Sequence, residues 1–91
     1  MPGIQTFNGT VVKSIQVGSI TIAATSDTNT AAIAAVDVNK AVCLFSGCIG
    51  GGPNATDILA RIALTNSTTV TATRAGTNNN TIVGFTVLEF Y

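Results

Sequence analysis

The sequence predicts an all-β fold, an antiparallel β-sandwich or jelly-roll-like domain of roughly seven or eight strands with an N-terminal arm. Three observations carry this. Apolar residues alternate with polar ones over most of the chain, which is the period of a half-buried strand. Gly, Asn, Asp and Ser cluster between the alternating runs, where turns belong. Charged residues are only 9% of the 91, and Thr, Ser and Asn stand in their place.

The last third shows the pattern best. Ile58 to Leu64, Val70 to Arg74 and Thr81 to Tyr91 read as three strands divided by turn residues. With Asn66-Ser67-Thr68 as the loop, Leu64 falls opposite Val70, Ile62 opposite Ala72 and Ala63 opposite Thr71. A two-residue Asn66-Ser67 loop sets Leu64 against Thr69 and mixes the faces, because a one-residue slip turns every side chain over. In the final run, Val83, Phe85, Val87 and Tyr91 share one face, while Ile82, Leu88 and Phe90 share the other. A strand apolar on both faces is either central or pressed against another subunit. Glu89 is the exception on the odd face, with Arg61 and Arg74 as its candidate partners.

Residues 1–9 read as an arm and 10–91 as a single domain. Pro2, Gly3, Asn8 and Gly9 punctuate the arm, and only Ile4 and Phe7 offer anchors. Thr10 to Ala24 follows as one or two strands. Its apolar positions are odd as far as Val17 and even from Ile20, a parity change expected of a bulge or corner at Gly18. Thr25 to Thr30 is a loop by composition. Ala31 to Val36 is alanine-rich, but six residues do not sustain an isolated helix in water, so a strand is expected. Asp37 to Lys40 reads as a turn in which Asp37 bonds its own backbone two residues on. Ala41 to Ser46, apolar on both faces, reads as a central strand covered twice. Gly47 to Asn54 is a glycine-rich surface loop. It lacks the Lys and Ser/Thr of a phosphate-binding loop.

Composition narrows function. Hydrophobic residues make up 46% and the net charge is zero, with a mean hydropathy of +0.49. No apolar run approaches the ~20 residues of a membrane helix. The N-terminus has neither the basic start nor the apolar core of a signal peptide. Lys13, Lys40, Arg61 and Arg74 are dispersed and matched in number by Asp27, Asp37, Asp57 and Glu89, a poor set for neutralising phosphates. A neutral, charge-poor surface has little colloidal repulsion, so a covered surface and a homo-oligomer are expected. With no His, Ser-His and Cys-His catalysis cannot be built. The scattered acids give no carboxylate pair, and two cysteines are too few for zinc. No enzyme, no cofactor and no metal site are expected. If the chain stays extended between Cys43 and Cys48, their Cα atoms lie about 16 Å apart, too far for a disulfide. Two free thiols in a reducing cytoplasm are expected.

The segments KSIQVGSITI, VDVNKAV, ARIALTNSTTVTATRAG and IVGFTVLEF carry a resemblance that spans nearly the full length. In them the chain resembles small structural proteins of tailed-phage virions. The resemblance implies a sandwich or jelly-roll subunit that forms a homotrimer and decorates (cements) a phage head, with the major capsid protein or another virion protein as partner. A tail or fibre component is the alternative, and a carbohydrate-binding module at a virion tip is a third. Assembly in the host cytoplasm and residence in the virion follow from it. Nucleic acid and membrane are not expected partners. Ile4, Phe7, Phe85, Val87, Leu88, Phe90 and Tyr91 are the candidate interface residues, drawn from the arm and the doubly apolar last strand.

Overall fold

The computed structural model describes residues 11–91, which form six strands and one short helix. In order these are β1 (Val12–Ile22), β2 (Thr28–Ala32), a 3-10 turn (Val38–Lys40), β3 (Ala41–Gly50), α1 (Ala55–Ile58), β4 (Ala60–Asn66), β5 (Thr69–Arg74) and β6 (Thr81–Phe90). The arm assigned to residues 1–9, with Ile4 and Phe7, lies outside the described residues.

The strands form two three-stranded antiparallel sheets. Sheet A runs β1-β6-β3 and sheet B runs β2-β5-β4, so β6 and β5 are the central strands. One hydrophobic cluster joins them: Ile20 and Ile22 of β1, Val83, Phe85 and Val87 of β6, Val70 and Ala72 of β5, and Val36 from the segment after β2. At ~25 cal/mol per Å² this apolar burial is the main term holding the sheets together.

The β4–β5 hairpin has the predicted register: Leu64 opposite Val70, Ala63 opposite Thr71 and Ile62 opposite Ala72. Its tip is tighter than a three-residue loop. Asn66 pairs with Thr69 across an irregularity after Leu64, and the Asn66 carboxamide oxygen accepts the Thr68 N–H at 2.9 Å. The turn before β3 also matches. Asp37 Oδ1 accepts the Asn39 N–H at 3.0 Å, the local bond a short acidic side chain makes well.

Four expectations are corrected. Strand number is six among the described residues, not seven or eight, because β1 is one strand and β2 stops at Ala32. Gly18 is neither bulge nor corner, since pairing with β6 is continuous from Ser14 to Ile22 and the register shift lies at Val12/Ser14. β3 is an edge strand, not a doubly covered central one, and it runs on to Gly50 through the irregularity between Phe45 and Cys48. Gly47, at φ 106°, occupies a backbone region that suits glycine there. Glu89 is met not by Arg61 or Arg74 but by Lys13 Nζ at 4.0 Å, the Ser14 hydroxyl at 3.3 Å and the Asp37 N–H at 2.8 Å.

Arg74 is occupied elsewhere. Its buried guanidinium donates to the carbonyls of Asp57 (2.5 Å), Ser26 (2.9 Å) and Ala23 (3.1 Å) and to the Thr81 hydroxyl (2.8 Å). Thr81 in turn donates to the Asp57 carbonyl. One arginine therefore ties the loop after β1, the α1 turn and the start of β6 to β5. On the inner face of sheet A, the Gln16 carboxamide forms a two-point bond with Ala34, donating to its carbonyl at 3.0 Å and accepting its N–H at 2.8 Å. Asn29 donates to the Thr21 carbonyl at 2.8 Å.

Candidate functional site

Antiparallel partners directly opposite each other share a face, so the pairing table of a sheet also assigns its two surfaces. In sheet A, Gly18 and Phe85, Ile20 and Val83, and Gln16 and Val87 pair on the inner face. The outer face then consists of cross-strand rows. Val42, Leu88 and Ile15 form one, Leu44, Thr86 and Val17 the next, Gly84 and Ser19 a third, and Ile49, Ile82 and Thr21 the last. Among the described residues, none packs over this face as sheet B packs over the other. Val17 and Ile49 are each 77% exposed and Ile15 61%, with Val42, Leu44 and Ile82 also open to solvent.

The outer face of sheet B has opposite chemistry. Thr28 and Thr30 of β2 pair with Thr73 and Thr71 of β5, and Arg61 and Ala63 of β4 flank them. Hydroxyls dominate, and the Thr65 and Thr71 hydroxyls bond to each other at 2.5 Å. The chain thus buries one face of each sheet in a common core, wets the other face of sheet B with threonine, and leaves the other face of sheet A aliphatic. Isolated exposed apolar residues need no explanation, whereas a contiguous patch marks an interaction surface.

The aliphatic face is not flat. Ser19, Ser46, Gly47, Cys48, Ile49, Ile82 and Gly84 line a shallow depression of about 340 Å³, where small residues of three strands meet between isoleucine walls. Lys13 beside the Val12/Ser14 irregularity brings a charge near this sheet, and Glu89 faces it. A second depression, about 480 Å³, lies on sheet B along Leu59, Ala60, Arg61, Thr73, Arg74 and Ala75. Its buried arginine already spends its donors on the chain's own carbonyls.

The expected interface residues divide. Phe85 and Val87 belong to the chain's own core, at 2% and 0% exposure, and cannot meet a partner without opening the fold. Leu88 and Phe90 are half-buried on the outer face of sheet A, and Tyr91 is exposed past the end of β6. Tyr91 remains tied through its N–H to the Val11 carbonyl at 3.1 Å. Ile15, Val17, Val42, Leu44, Ile49 and Ile82 were missed. For Ile15 and Val17 the signal was the parity change along β1, which records two apolar sets on opposite faces of one continuous strand.

Asp57 is the most deeply buried acid, with 0% exposure. The Asn78 N–H bonds its Oδ1 at 3.2 Å, and the Asn54 and Asn79 carboxamides approach Oδ2 at 3.4 and 3.5 Å. The Asn78 backbone bond holds the carboxyl below its ordinary range; burial opposes this and the asparagine side chains assist. Every contact secures a loop. Cys43 and Cys48 are free thiols, and Cys48 donates to the Ile58 carbonyl at 2.9 Å. Burial pushes the Cys43 thiol up. Among the described residues no three His, Cys, Asp or Glu side chains come together as a metal would need.

Compared with models of known protein families, with curated proteins and with solved structures, the chain finds no match.

Proposed function

We propose that the chain is a non-enzymatic assembly subunit, and that the aliphatic outer face of sheet A is the surface by which it associates. The observation that carries this is the asymmetry between the two outer faces, threonine on one sheet and Ile, Val and Leu on the other. Within that class we read the protein as a homotrimeric decoration (cement) protein of a tailed-phage head. The resemblance in sequence, the zero net charge and the 9% charged residues support that reading.

The strand order supports the finer architecture as well. The first three strands alternate between the sheets and the last strand lies between the first and the third. An eight-stranded jelly roll, with sheet orders 1-8-3-6 and 2-7-4-5, keeps that order when its fifth and sixth strands, one from each sheet, are removed. We therefore read the domain as a reduced jelly-roll sandwich.

Two measurements test the reading. Sedimentation of the purified chain should give a trimer at micromolar concentration, and a stable monomer overturns the assembly claim. Copies per virion then separate locations: hundreds place the protein on the head, whereas a handful place it in the tail or fibre. Binding of the isolated protein to a glycan array favours the carbohydrate module instead.

A further inference from the structure

We infer that the edge of sheet B at β4 takes an extended strand of another protein, one that carries an acidic side chain opposite Arg61. This goes beyond the association surface on sheet A and does not depend on it.

The two edges of sheet B differ. Backbone groups of successive strand residues point alternately to the two sides. The Arg74 N–H bonds the Asp27 carbonyl at 2.8 Å and the Ile33 N–H bonds the Thr68 carbonyl at 2.9 Å, so the odd residues of this stretch face β5. Thr28, Thr30 and Ala32 then face outward, and local side chains occupy part of that edge. The Ser26 hydroxyl donates to the Thr28 carbonyl at 2.9 Å, and Asn29 Oδ1 accepts the Thr30 N–H at 2.8 Å. The even residues of β5 thus serve β2 and its odd residues serve β4. Arg61 and Ala63, opposite Thr73 and Thr71, turn their backbone groups to β5. Ala60, Ile62 and Leu64 turn theirs outward. Among the described residues no strand pairs with that side, and β4 has neither the proline nor the lysine that blunts an edge.

Arg61 decides which strand fits. Its backbone faces β5, so an antiparallel strand added at β4 meets it as a non-hydrogen-bonded pair, the kind in which opposed side chains come closest. Arg61 is exposed and makes no ion pair among the described residues, where the salt bridge is Lys13–Glu89. The depression of about 480 Å³ along Leu59, Arg61 and Thr73 leaves room for a carboxylate beside the guanidinium. On the opposite face of β4, Ala60, Ile62 and Leu64 pack against the core, which suits apolar residues on either side of the acidic one. Main-chain bonds supply affinity in such strand addition, and the side-chain pairs supply the choice.

The chain does not supply that strand itself. Asp27, Asp37 and Asp57 lie outside the strands, and Glu89 is buried in the central strand β6. Residues 1–10 contain no Asp or Glu. Charge complementarity therefore assigns this edge to a different protein rather than to a second copy.

The test is fluorescence anisotropy of the full chain with a short labelled peptide that alternates valine and threonine around one glutamate flanked by valines. Binding is expected, and a twin with lysine in place of the glutamate should bind about fivefold more weakly. Arg61→Glu should invert that preference while circular dichroism stays unchanged. The glutamate's own N–H points away from β4 and those of the flanking valines point toward it. N-methylation of the two valines should therefore abolish binding, and N-methylation of the glutamate should not. No binding, or binding indifferent to valine methylation, overturns the inference. So does binding that appears only once residues 1–10 are removed, which would give the edge to that segment. Arg61→Glu should leave the sedimentation of the chain alone unchanged; a change would place a second copy here and overturn the assignment to another protein.

Discussion

Phe85 lies across Gly18. A β-carbon built on Gly18 comes within 2.7 Å of the ring's Cζ, and the two residues are direct partners on the inner face of sheet A. The aromatic ring occupies the space a side chain would take, so a residue that weakens a strand on its own serves here as the floor for the core's largest side chain.

Gly18→Ala should therefore destabilise the fold by about 1–3 kcal/mol, the usual range for overpacking. Phe85→Ala should cost about 3–5 kcal/mol. The two effects should not add, because residues in contact couple. Chemical denaturation of both single variants and the double variant checks this, and strict additivity would break the packing relationship.

Arg74 holds three loop carbonyls and a hydroxyl from a buried position. Arg74→Ala strands those acceptors and should lower stability by about 3 kcal/mol or more. Arg74→Lys should rescue little, since an ammonium cannot reproduce the planar fork of donors. Urea midpoints of the two variants decide it; a lysine variant as stable as the parent would show that charge, not geometry, matters.

The Asp57 carboxyl is held below its ordinary range chiefly by the Asn78 N–H. A group whose folded pKa is depressed stabilises the fold above its unfolded pKa, and that contribution fades as pH falls toward the folded value. Melting temperature should thus decline in acid, from the ordinary carboxylate range downward. Asp57→Asn should be less stable at neutral pH and should lose that part of the acid slope. Parallel Tm–pH curves are the measurement, and identical slopes would remove Asp57 from the account.

Val17→Lys and Ile49→Lys place charge on side chains that are 77% exposed. Folding stability should change by only about 0.5 kcal/mol, as at ordinary surface sites, while association is lost. Phe90→Ala should likewise weaken association and leave a folded, strand-rich monomer. Circular dichroism and sedimentation run together test all three. A variant that still sediments as the parent does would clear its residue of any interface role.

Reduction should leave the intact mass unchanged, because both cysteines are free. Cys43→Ser and Cys48→Ser should each lower stability modestly, since both pair with buried β6 residues, Val87 and Val83, and pack against the buried cluster from β3. Mass spectrometry and thermal melts check the two statements separately.

The hairpin register was legible in the sequence because β4 and β5 alternate cleanly and every one-residue slip exposes Val70 or Ala72. The Asp37 turn was legible for a similar reason, since a short acidic side chain has one good local bond to make. Other features depend on contacts between distant segments. The apolar runs of β1 and β3 state that two faces are greasy, but not that one of them is left bare. That follows only once β6 takes the centre of sheet A and sheet B covers a single side. Asp57 and Arg74 carry no spacing that announces a buried network, because their partners are backbone groups, asparagines and a threonine hydroxyl from segments far apart in sequence. The Gly18 parity change was visible but ambiguous, and Phe85, sixty-seven positions later, resolves it.

The bonds made by Gln16 and Asn29 bear on how such a protein grows. An unpaired strand edge is a template for endless stacking, and natural sheets blunt it. Here a carboxamide grips the Ala34 peptide in the manner of a neighbouring strand, and Asn29 takes up the Thr21 carbonyl. Across the sheet, the irregularity at Gly47 interrupts the outer edge of β3. The border of sheet A at β3 is thereby interrupted near Gly47, and one carbonyl of β1 is already taken by Asn29.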